Sequence, residues 1–271
     1  MKNVLESKFL KEFTATCSNM YRLGWDERNG GNVSLMLDED QVKDYLDLNN
    51  VIREIPISFK ATELAGKLFL VTGTGKYFKN VEGDPENNLG IIRIGKSGDV
   101  AELLWGYKDG GRFTSELPAH LMSHIVRLKQ NPNNRVIMHC HPNNLVAMTF
   151  AHSLNEREFT RTIWRMETEC MVVFPDGIGV LPWMLCGTNE IGVATADKMK
   201  DFRLVVWAHH GIYGAGADLD EAFGLIETAE KAADMWLKVA HLNIVNTITD
   251  ENLKEIAKAF KVEYKKGWLD C

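Results

Sequence analysis

The sequence predicts a mixed α/β fold, a sheet covered by helices, and three observations carry that prediction. Short apolar runs of strand length alternate with stretches of helical spacing through the middle of the chain. Two apolar runs, 91–94 and 100–105, flank Lys96-Ser97-Gly98 as a hairpin would, so the sheet is not built from helical crossovers alone. No internal repeat, low-complexity tract or Pro/Gly/Ser linker interrupts the 271 residues, which read as a single domain, 1–271.

Residues 3–23 place apolar side chains at 5, 9, 10, 13, 20 and 23, close to helical spacing, and Gly24 suits the C-terminal cap. A polar turn, Trp25-Asp26-Glu27-Arg28-Asn29-Gly30-Gly31-Asn32, leads into a short alternating stretch at 33–37. Residues 38–66 are acidic and irregular, the expected surface excursion. The run 67–72 reads as a buried strand that breaks at Gly73-Thr74-Gly75. After the hairpin, helices are expected at 116–129, 144–152 and 188–201, with strands at 135–139, 171–174 and 204–208. Asp218 and Glu221 form a capping-box-like pair that opens a long helix to about His241, and a last helix spans about 250–260.

Composition narrows the functions available. The chain is 45% hydrophobic and 25% charged, ordinary for a globular protein able to bury roughly three quarters of its unfolded surface. A net charge of −6 argues against nucleic acid as a partner, because phosphate backbones attract a basic surplus. No apolar run approaches the roughly 18 residues of a membrane span, and the first eight residues lack the apolar core of a secretory signal. Cys17, Cys140, Cys170, Cys186 and Cys271 are odd in number and form no CxxC pair; they read as reduced, mostly buried thiols of a cytoplasmic protein.

The strongest chemical signal is His139-Cys140-His141-Pro142. On a strand, residues i and i+2 share a face about 6.6 Å apart, so His139 and His141 can aim at one ion while Cys140 faces away. The apolar strand at 204–208 delivers His209 and His210 at its end, and either would complete a three-histidine site with an open position, the pattern of a catalytic zinc. His120 and His124 form a rival pair at i, i+4, but without the Glu of an HExxH motif they read as core or surface residues. Three segments can cradle an anion: Asn29-Gly30-Gly31-Asn32, Thr72-Gly73-Thr74-Gly75, and Thr114-Ser115 ahead of a helix. Glu116 adjoins the last of these. A phosphate pocket, a carboxylate and a metal suit proton abstraction beside a carbonyl, with the metal stabilising an enediolate and Glu116 taking the proton.

Taken together and in this order, Asn29-Gly30-Gly31-Asn32, Thr72-Gly73-Thr74-Gly75, Thr114-Ser115-Glu116, His139-Cys140-His141 and His210-Gly211 resemble the class II sugar-phosphate aldolases of the adducin-head family. The resemblance spans about residues 20 to 240 and extends to Thr168-Glu169-Cys170 and Glu227-Thr228-Ala229-Glu230-Lys231. It implies a mixed, largely antiparallel sheet between helical layers. It also implies reversible cleavage of L-rhamnulose 1-phosphate to dihydroxyacetone phosphate and L-lactaldehyde. One zinc ion per subunit would be held by His139, His141 and His210, with Glu116 as the base. Asn29, Asn32, Thr74, Gly75, Thr114 and Ser115 would hold the phosphate. Glu169, reaching in from a neighbouring subunit of a homotetramer, would assist proton transfer at the aldehyde end.

Three other readings compete. A pentulose-phosphate 4-epimerase resembles the aldolases in fold and metal site, but that branch tends to carry Asp where this chain has Glu116. A non-catalytic module like the adducin head lacks the metal histidines, which are present here. A zinc hydrolase has no use for phosphate turns.

Overall fold

The computed structural model describes residues 1–269. Nine strands form one sheet: β1 (Asn32–Leu37), β2 (Arg53–Pro56), β3 (Leu68–Thr72), β4 (Leu89–Ile94), β5 (Val100–Gly106), β6 (Val136–Cys140), β7 (Ile178–Leu181), β8 (Leu204–Trp207) and β9 (Gly211–Gly216). Their order is β2-β5-β4-β3-β1-β6-β9-β8-β7. Every neighbouring pair is antiparallel except β7 and β8. The expected mixed, largely antiparallel sheet is therefore present.

Period-two alternation explains how helices cover both faces. Along β3, Leu68 and Leu70 join a core with Phe9, Leu10 and Phe13 of the helix Lys8–Arg22 and with Leu225, Ile226 and Ala229 of the helix Leu219–Val239. The alternate residues Phe69 and Val71 join a second core with Leu117 and Leu121 of the helix Leu117–Gln130. A strand buried on both faces reads as an unbroken apolar run, which is why 67–72 was legible as one.

Several elements depart from the sequence-based expectation. Residues 171–174, expected as a strand, lie in and just after the helix Thr168–Val173, with Cys170 and Met171 buried. A four-residue apolar run is compatible with either state, and here Trp164 fixes the helix end by donating its indole N–H to the Phe174 carbonyl. The excursion at 38–66 hides an edge strand, β2, whose charges and proline masked it. The helix Glu156–Trp164 and strand β7 were not anticipated. Nor was β9, because three of its six residues, Gly211, Gly214 and Gly216, read as turn residues.

Those glycines serve close packing. A Cβ on Gly216 would lie 2.6 Å from the Ala222 backbone nitrogen, and one on Gly214 would lie 2.9 Å from Ile226 Cδ1. Both contacts belong to the helix Leu219–Val239, which seats directly on β9. Gly216→Ala should therefore destabilise the protein by about 1–3 kcal/mol through overpacking. Chemical denaturation reads this directly. An unchanged midpoint would mean that the helix shifts freely and does not fix the strand.

Candidate active site

Strand β6 lies between β1 and β9, and this placement assembles the site. His139 pairs in register with Asn32 on one side and Tyr213 on the other. His141 follows two residues later, beyond the strand end, while Cys140 turns into the core. On the adjoining β8–β9 turn, His209 adopts a left-handed φ of 64°, and His210 swings onto the β6 histidines. The donor atoms of His139, His141 and His210 all lie within 4.8 Å of one another. His209 faces away, its Nδ1 3.2 Å from Thr149 Oγ1 and its ring 4.2 Å from that of Phe150.

Hydrogen bonds occupy the Nδ1 atoms of two of these imidazoles. His139 Nδ1–H donates to the Ile212 carbonyl at 2.9 Å, and His141 Nδ1–H donates to Glu27 at 3.1 Å. The Nε2 atoms of both rings are buried and have no hydrogen-bond partner. Two orphaned ring nitrogens, on imidazoles oriented by a carbonyl and a carboxylate, have the outer support typical of metal-ligating histidines. Burial, with help from the neighbouring imidazoles, drives the His139 pKa well below its usual value. Burial and the adjacent His141 bring that of His210 to about 4. Neutral rings are the form that binds cations.

Glu116 reaches the same point from the β3 side, over the sheet face that Asn32 and His139 share. The chain leaves β3, and Gly73 bridges to Phe113, so Thr114 N–H donates to the Thr72 carbonyl at 2.9 Å. This contact sets Thr114-Ser115-Glu116 beside the turn at Gly73-Thr74-Gly75. Glu116 is 8% exposed, and its Oε2 lies 3.6 Å from His139 Nε2. That oxygen accepts hydrogen bonds from Asn32 Nδ2 at 2.8 Å and from the Tyr213 hydroxyl at 3.2 Å. Burial raises the Glu116 pKa above the usual carboxylate range, with the Asn32 and Tyr213 bonds and the nearby His141 opposing it. A carboxylate made more basic by its surroundings is suited to carry a proton.

One cavity of about 200 Å³ is lined by Glu116, His139, His141 and His210 together with Asn29, Asn32, Thr74, Gly75, Thr114 and Ser115. The residues that the resemblance assigned to the metal, the base and the phosphate thus meet, whereas Glu169 stands apart. That side chain is exposed and lines a different surface pocket with Trp25, Glu227 and Lys231. Gly31, in the first turn, has φ 71°, and a Cβ there would fall 1.6 Å from Asp26 Oδ1, so only glycine fits. Asn32 departs from the reading as a simple phosphate contact, since its side chain bonds Glu116 and His120.

Several neighbours were not anticipated as site residues. Glu27 was legible as part of the polar turn, but nothing in its spacing pointed to His141. Tyr213 lay in the glycine-masked strand. Cys186 is exposed and has its sulfur within 4.8 Å of Glu116 and His210 donor atoms, whereas Cys17, Cys140 and Cys170 are buried as expected. Cys271 lies outside the described residues. No helix among the described residues is long and apolar enough to cross a membrane.

Residues 11–237 match the family model of the class II aldolase and adducin N-terminal domain. The rhamnulose-1-phosphate aldolase of Listeria monocytogenes serotype 4a (strain HCC23) is 59% identical over 270 residues, covering 99% of each chain. The enzyme of that name from Enterococcus faecalis (strain ATCC 700802 / V583) is 56% identical over 269 residues, covering 99% of this chain and 96% of that one. Among solved structures, a sugar-phosphate aldolase from Thermotoga maritima superposes with a TM-score of 0.75 at 28% identity, covering 88% of this chain and 98% of its own.

Proposed function

The chain belongs to the class II aldolase and adducin N-terminal domain family and is an aldolase, and from that premise we propose that it cleaves L-rhamnulose 1-phosphate to dihydroxyacetone phosphate and L-lactaldehyde. The substrate is the one in the names of its full-length relatives. The observation that carries the reading is the convergence of three imidazoles and Glu116 on one phosphate-sized, hydroxyl-lined cavity.

The orphaned Nε2 atoms of His139 and His141 fit a divalent cation, and with His210 they would hold zinc, leaving a position open. Bound there, zinc would supply Lewis acidity toward the ketose carbonyl oxygen. Glu116 would return a proton to the hydroxymethyl carbon of the departing triose during cleavage and remove it in the reverse direction. Thr74, Thr114 and Ser115 offer hydroxyls, and the turn at Gly75 offers backbone N–H groups, to the phosphate. Asn29 borders the same end. Glu169, outside the cavity of its own chain, would act from an adjacent subunit of a homotetramer, accepting the hydroxyl proton released as the carbon–carbon bond breaks. Buried unpaired thiols at Cys17, Cys140 and Cys170 suit a reducing cytoplasm.

The test is triose release from L-rhamnulose, L-fuculose and L-ribulose phosphates side by side, with and without chelator. Dihydroxyacetone phosphate should appear fastest from the rhamnulose ester. Chelation should slow release by at least about 100-fold, the several kcal/mol a Lewis acid contributes, and added zinc should restore it. Pentulose interconversion without triose would mean an epimerase instead.

A further inference from the structure

From Glu116 and Asn32 at the cavity wall, a chain of buried polar side chains runs inward through Ser34, His120 and His124, which the proposed reaction does not use. Asn32 and Ser34 share one face of β1, two residues apart. His120 and His124 share one face of the helix Leu117–Gln130, at whose N-cap Glu116 stands. His124 Nε2 lies 2.8 Å from Ser34 Oγ, and Ser34 Oγ lies 2.8 Å from His120 Nδ1. His120 Nε2 meets Asn32 Oδ1, and Asn32 Nδ2 donates to Glu116 Oε2 at 2.8 Å. Ser34, His120 and His124 are fully buried, and Asn32 is 6% exposed.

The carboxylate end determines the direction of every bond. An ionised carboxylate only accepts, so Asn32 presents its NH2 to Glu116 and its carbonyl oxygen to His120. His120 Nε2 must then carry the hydrogen, which leaves Nδ1 bare to accept from the Ser34 hydroxyl. Ser34, its proton spent, accepts from His124 Nε2–H. Turning the Asn32 amide over would set its oxygen against the Glu116 oxygen and its NH2 against the His120 N–H. Burial leaves no water to absorb either clash.

We propose that His120 is a positioning residue for proton transfer: its Nε2–H locks the Asn32 amide so that its NH2 faces and aims the Glu116 carboxylate. This inference rests on Glu116 being the base, and the experiment separates the two. A glutamine at 120 places its amide nitrogen near the former Nε2 and keeps the donor toward Asn32. An asparagine at 120 places its amide near the former Nδ1, which keeps contact with Ser34 but leaves Asn32 free to turn. Each variant loses one buried hydrogen bond, so a merely structural role predicts similar behaviour for both.

The kcat of His120→Asn should fall about 100-fold below that of His120→Gln, the cost typical of a misaimed catalytic group. KM and zinc content should match between the two. Solvent deuterium exchange at the hydroxymethyl carbon of dihydroxyacetone phosphate, which reads proton transfer without any aldehyde, should fall in parallel. In an Asn32→Ala background the difference between the two should shrink to less than about threefold. If His120→Asn does not fold, His120→Ala takes its place in the comparison. Equal kcat in the two variants overturns the inference, as does a difference that persists without Asn32. Full activity in Glu116→Gln would instead overturn the base on which it rests.

Discussion

Glu116→Gln is expected to lower kcat by about 100- to 10,000-fold, the range supplied by a positioned acid–base group, while the zinc content stays unchanged. The substitution is nearly isosteric, and the amide oxygen can still accept from Asn32 and Tyr213. What is lost is the capacity to hold a proton. The three imidazoles proposed as ligands do not depend on the carboxylate for their orientation: His139 is fixed by the Ile212 carbonyl and His141 by Glu27. Loss of turnover with metal retained therefore isolates proton transfer from metal binding. Metal analysis and exchange of the hydroxymethyl protons in deuterated buffer measure the two separately. Retention of full turnover would remove Glu116 from the chemistry.

His210→Ala should abolish stoichiometric zinc binding and His209→Ala should preserve it. Removing one of three donors should weaken zinc by at least about 100-fold, beyond the roughly 10–100-fold cost of losing an outer hydrogen-bond partner. His209 contributes only its contacts with Thr149 and Phe150, on the side away from the cluster. Zinc titration monitored by calorimetry distinguishes the two variants. A His209 variant that loses zinc while the His210 variant keeps it would reverse the assignment of the third ligand.

The contrast between these adjacent residues shows where sequence reading succeeds. His139 and His141 were legible because alternation on a strand is local geometry, and Pro142 marks its end. Choosing between His209 and His210 was not possible from spacing, because the choice depends on one backbone torsion, the left-handed φ at His209. The same limit applied to the fold. Strand β3, apolar at four of its five positions, was plain, whereas β9 was hidden by glycines whose purpose is the approach of a helix from elsewhere in the chain. Residues 171–174 carried too little periodicity to separate helix from strand. The anion turns declared themselves through glycine, amide and hydroxyl content. The partnership of Asn32 with Glu116 and His120 exists only once β1 and the helix Leu117–Gln130 have packed together.

The central position of β6 also sets an order of events during biogenesis. Its neighbours lie far apart in the sequence, β1 near residue 32 and β9 near residue 211, and His210 meets His139 and His141 only after β9 has docked. Pairing over such separations is slow compared with forming a local hairpin such as β4–β5. A nascent chain still lacking β9 would carry the His139 and His141 pair without the third donor, His210. A cation held by all three imidazoles would therefore be captured only once this long-range pairing is complete.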